Sequence, residues 1–106
     1  MIVVSSHFVA GKKVVRTLGL VRGNTVRATH MGRDILASIR NFVGGEVHEY
    51  TKLLAESREH ALDRMVENAA ELGANAIIEV EFSTSHVAAN MAEILAYGTA
   101  VVVVDE

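Results

Sequence analysis

The residues able to do chemistry in this 106-residue chain are five histidines, thirteen carboxylates and ten basic side chains. The histidines are His7, His30, His48, His60 and His86. No two of them stand four apart, the spacing that sets two imidazoles on one helical face. Glu56, His60, Asp63 and Glu67 do share a face if their segment is helical, at steps of four, three and four. A carboxylate–imidazole–carboxylate set suits a divalent metal such as zinc or manganese. The competing reading is a solvated face, with Lys52 and Arg64 beside it for ion pairing. His86 falls in what reads as a loop between the last two strands, near Met91. In a symmetric assembly, one loop histidine per subunit can converge on the axis and build a metal site without any local motif.

Arg33 and Arg40, seven residues apart on one side of a short helix, can clamp a carboxylate or phosphate. They can equally pair with acidic groups inside the subunit or across an interface, as can Arg16 and Arg22. Gly44-Gly45 ahead of a helix invites an anion-cradle reading. The pattern is not that of a phosphate loop, however, and Glu46 and Glu49 already place negative charge there. An interhelix turn fits better. No serine has nucleophile-elbow context, and Glu79 and Glu81 read as an exposed strand face. No catalytic set emerges.

The elements that must position these residues follow from periodicity. Met1–Val4 reads as a short strand. Residues 14–26 read as extended, either one bent strand or a hairpin, with Gly19 and Gly23 marking a bulge, a turn or a close backbone approach. Arg33–Val43 has a helical stripe of Ile35, Ile39 and Phe42, ended by Gly44-Gly45. A long helix is expected over Val47–Leu72, with Leu53, Leu54, Ala61, Met65, Ala69 and Leu72 inward and Gly73 as its cap. Ala76–Ser83 alternates, with Ala76, Ile78, Val80 and Phe82 on one face. Ile94–Val104 is apolar on both faces and must be covered on both. Two helices can cover one side of the sheet. The other side calls for another subunit, or for the N-terminal segment folded across it.

This pattern predicts an α+β subunit: an antiparallel-rich β-sheet packed by one short and one long α-helix, joined to its copies in a closed ring or a dimer. Length predicts a single domain over residues 1–106. A net charge of −3 disfavours nucleic acid as a partner. No signal peptide is expected from Met1–His7, and the longest nearly apolar run, Ile94–Val104, is too short for a membrane helix. Absence of cysteine suits a cytoplasmic protein and removes thiolates as ligands.

Gly19-Leu-Val-Arg-Gly23, Arg33-Asp34 with Ala37-Ser-Ile-Arg40, Gly44-Gly45 and Tyr50 are followed by Gly73-Ala-Asn-Ala76 and Gly98-Thr-Ala-Val101. In this order and spacing the set resembles the YbjQ-like family of small bacterial and archaeal proteins, labelled "putative heavy-metal-binding". The resemblance spans about Val3 to Val103. It implies a compact α/β subunit in a homopentameric ring, with no assigned molecular function. Together these features lead to a cytoplasmic homo-oligomer that binds a metal or small ligand at subunit interfaces. A scaffold ring without ligand is the alternative, and an enzyme with an interfacial active site ranks last.

Overall fold

The computed structural model describes residues 1–28, 45–88 and 91–106. The elements, in chain order, are β1 (Ile2–Val3), β2 (Lys12–Ala28), α1 (Gly45–Glu71), β3 (Ala76–Ala88) and β4 (Met91–Asp105). One four-stranded sheet has the order β1-β3-β4-β2. It is mixed: β1 runs parallel to β3, and the other neighbours are antiparallel. The fold is therefore α+β, as the pattern predicts. Among the described residues α1 is the only helix; the short helix expected at Arg33–Val43 lies outside them.

Strand β2 settles the choice over residues 14–26. It is one strand, paired with β4 from Lys12↔Asp105 to Ala28↔Met91. Register shifts at Val14/Arg16 and Thr17/Gly19 bend it, each inserting one residue. Gly23 makes no turn. A side chain there would put its Cβ 2.2 Å from the Ala61 carbonyl oxygen and 2.4 Å from the Met65 nitrogen. The missing side chain is what lets the helix backbone lie against the strand.

Helix α1 buries Ser57, Ala61, Met65 and Ala69, a stripe with a strict four-residue step. Leu54, Leu62 and Val66 flank it. Three of the four buried residues are small, which matches the close approach to Gly23. Leu72, expected on the inward stripe, is exposed. The helix ends before it. Gly73 takes the left-handed conformation (φ 87°), its N–H reaches the Ala70 carbonyl at 3.0 Å, and the Ala74 N–H reaches Ala69 at 3.1 Å. Those two bonds satisfy carbonyls that the helix end would otherwise orphan.

Strand β4 is central, and its two apolar faces enter two cores. Ile94, Ala96 and Ala100 meet α1 together with Val21 and Ile77. Val101 and Val103 form a second cluster with Ala76, Ile2 and Ile78 on the opposite face. Strand β3 corrects the sequence expectation twice. Its alternation breaks at a bulge between Ile78 and Glu81, where Glu79 has φ 54°. Ile77 and Val80 therefore join the helix-side core, while Ala76 and Ile78 turn to the other. The strand also continues past Ser83 to Ala88, and β4 starts at Met91, before Ile94.

Strands β1 and β2 lie at opposite edges of the sheet, so the chain between them must cross it. It passes over the face away from α1, where Ser5, Ser6 and His7 sit with Leu20, Tyr97 and Thr99. The N-terminal segment thus covers part of the second face, the alternative to a covering subunit. Leu20 is still 68% exposed, and Val14 and Val26 are exposed as well. The chain exposes 6824 Å². A compact monomer of its mass would expose about 5,800 Å².

Candidate functional site

Two concave regions lie on the two sides of the sheet. The first is a groove of about 530 Å³ between α1 and β3. Strand register puts Phe82 opposite Ala96, hence on the helix side, where it forms the apolar floor. Lys52, Glu56, Arg58, Glu59 and His60 from successive turns of α1 make the wall. Its charges are mixed, so no ion of one sign is favoured overall. Phe82 remains 45% exposed at this floor.

The second region is a polar pocket of about 520 Å³ on the face away from α1. The β3 bulge builds it. The extra residue sends Glu81 to the side of Tyr97, its partner in β4. The Tyr97 hydroxyl donates to Glu81 Oε2 at 2.7 Å. That bond, and then the carboxylate's negative charge, holds the Tyr97 phenol above the ordinary tyrosine value. Glu79 is fixed by its own backbone N–H, which donates to the Ser6 carbonyl at 2.9 Å. Ser5, Ser6, His7 and Thr99 complete a lining without lysine or arginine. The left-handed Glu79 costs on the order of 1–3 kcal/mol, which its surroundings must offset. An adjacent Val80 N–H to Val4 carbonyl bond, at 3.1 Å, helps hold it.

The residues singled out from sequence are placed as follows. Glu56 and His60 share the first groove; Asp63 is exposed on α1 and does not line it. His86 is not in a loop but in β3, exposed and opposite Ala92, because the hairpin pairs almost to its tip. Arg33, Arg40 and His30 lie outside the described residues. Among the described residues no three His, Asp or Glu side chains come together in a way that could hold a metal ion. The Glu79–Glu81–Tyr97 pocket was not foreseen, because a glutamate at positive φ carries no sequence signal.

A small α+β fold with a helix on one face of its sheet and a half-covered apolar and polar surface on the other is the class these features define. The chain belongs to the YbjQ family, described as "Putative heavy-metal-binding", whose match covers residues 1–104. It is 57% identical to a UPF0145 protein of Dehalococcoides mccartyi, covering 97% of this chain and 99% of that one. It is 58% identical to a UPF0145 protein of Pyrococcus horikoshii, over 97% of this chain and 88% of the relative. A crystal structure of a Pediococcus pentosaceus protein of unknown function, assigned to the DUF74 family, superposes with a TM-score of 0.66. It is 15% identical and covers 98% of each chain, so it supports the fold. No helix among the described residues is long and apolar enough to cross a membrane.

Proposed function

We propose that this protein is a cytoplasmic homo-oligomer, a closed ring of five, that takes a metal ion or small ligand where subunits meet and catalyses no reaction itself. The observation that carries assembly is the exposed apolar surface of the sheet, above all Leu20, 68% exposed beside the pocket that Tyr97 lines. Burying it is favoured by roughly 25 cal/mol per Å² of apolar area. The number five and the metal come from the family resemblance. The interfacial position is supported by His86, exposed on β3, where one imidazole per copy can meet those of its neighbours.

The test is uptake. Tag-free protein is analysed for bound elements and titrated with zinc, copper and nickel. Stoichiometric uptake that survives His60→Ala and fails with His86→Ala supports a site between copies. Uptake that fails with His60→Ala, Glu56→Ala or Asp63→Ala moves it to the face of α1. No uptake of any of the three metals rejects the metal reading in favour of a scaffold ring.

A further inference from the structure

We propose that copies of this chain join head to tail, with the basic strand β2 of one subunit docking on the acidic open-face pocket of the next. The inference rests on the oligomer proposed above and names its contact. Charge is divided across the sheet. Strand β2 carries Lys12, Lys13, Arg16, Arg22 and Arg27 with no acid. Strands β3 and β4 carry Glu79, Glu81, Glu93 and Asp105 with no lysine or arginine.

Among the described residues this division is bridged by few ion pairs. Lys12 meets Asp105 at 2.6 Å across the β2–β4 pairing. Lys13, Arg16 and Arg22 are exposed, and so are Glu79 and Glu81 in the pocket. Apolar surface accompanies the charges on both sides: Val14 and Val15, exposed between Lys13 and Arg16, and Leu20 at the pocket.

Charge then favours one pairing of surfaces. A two-fold contact of β2 on β2 sets cations against cations, and pocket on pocket sets carboxylates against carboxylates; like charges across an interface are costly. Setting β2 against the pocket pairs opposite charges. Such a contact forms reciprocally across a two-fold axis or head to tail; in the ring of five proposed above it is head to tail, because a heterologous contact whose rotation closes gives a ring.

Side chains make the contact, and strand addition does not. Two bulges interrupt β2, and α1 already covers its edge further along. There the Asn68 side chain accepts the Arg22 N–H, and the Arg64 guanidinium donates to the Asn24 carbonyl. Bulges, cations and covered edges are how sheets prevent edge pairing.

The experiment measures the assembly of the full chain by native mass spectrometry and light scattering, with circular dichroism as a check on folding. The variants are Lys13→Glu with Arg16→Glu, Glu79→Lys with Glu81→Lys, and all four together. Each pair should weaken assembly at least about tenfold, and raising salt from about 50 mM to about 1 M should weaken the wild type. The fourfold variant, its charges exchanged, should assemble again. Because Lys13 and Arg16 are exposed, their variant reads the contact even if the pocket variant does not fold. Undiminished assembly of Lys13→Glu/Arg16→Glu overturns this contact and leaves the oligomer standing, as does a folded fourfold variant that stays dissociated. A monomeric wild type overturns both.

Discussion

Tyr97 and Glu81 couple the pocket to pH. The phenol donates to the carboxylate and is held above its ordinary value, so the folded state retains the proton at pH values where the unfolded chain releases it. The stability this bond contributes is fully present below the unfolded tyrosine value and is lost as pH rises through the folded one. In a Tyr50→Phe background Tyr97 is the only tyrosine, and its ultraviolet titration reads the shift directly. Glu81→Gln should bring that titration down toward the ordinary value; an unchanged midpoint would rule Glu81 out as the cause. Asp105 at the other end of the sheet behaves in the opposite sense. Hydrogen bonding from Lys12, then its positive charge, lowers its pKa, so that contribution is lost as pH falls. Among the described glycines Gly23 has the least room for a side chain. Gly23→Ala would press a methyl into the α1 backbone and should cost at least about 2 kcal/mol in urea unfolding. A neutral result would mean that the helix can move away. Sequence marks Gly23 as special but leaves turn and close approach equally open. Only the helix lying on it decides. Ser57 shows the opposite case: a polar residue is not expected in a core, yet it is buried, its hydroxyl bonded to the Leu53 carbonyl at 3.0 Å.

At the scale of elements, the join between α1 and β3 is pinned by one side chain. Asn75 behaves as a piece of strand: its amide donates to the Val103 carbonyl at 2.9 Å and its oxygen accepts the Val103 N–H at 2.8 Å. Asn75→Ala removes both bonds and should destabilise the fold by about 1–3 kcal/mol in denaturant. Asn75→Asp keeps the acceptor but turns a carboxylate oxygen toward the Val103 carbonyl, and should cost at least as much as alanine at neutral pH. A loss confined to the noise of the measurement would show that water replaces the amide. The long helix, its Gly73 stop and the two-sided β4 were all legible, because each is written as a hydrophobic period ending at a glycine or filling both faces. Strand β3 was legible only to its bulge. An inserted residue reverses the period beyond it, and Glu79 resembles any other exposed strand residue in sequence. His86 was placed in a loop for a related reason. The apolar alternation runs out at Ser83, whereas cross-strand pairing with β4 carries the strand on through Thr84, Ser85 and His86.

For the molecule as a whole, the open sheet face links fold to function. Its long axis is 56 Å against 23 and 16 Å for the others, and β2, at about 3.3 Å per residue, runs that length. So elongated a shape buries little of itself, and a second copy is the natural cover. Two-sided apolarity in Ile94–Val104 pointed there from sequence, with one correction. Val101 and Val103 are already buried inside the subunit, so an aspartate at either would test folding and not assembly. Leu20 is the informative position. Leu20→Asp, at a site 68% exposed, should leave the monomer's unfolding within about 0.5 kcal/mol while weakening assembly. Equal assembly would take Leu20 out of the interface. Mass reads the assembly itself. Native mass spectrometry of the untagged chain at micromolar concentration should show a single closed species of five times the 11.4 kDa subunit. A mass of 11.4 kDa at every concentration would contradict it.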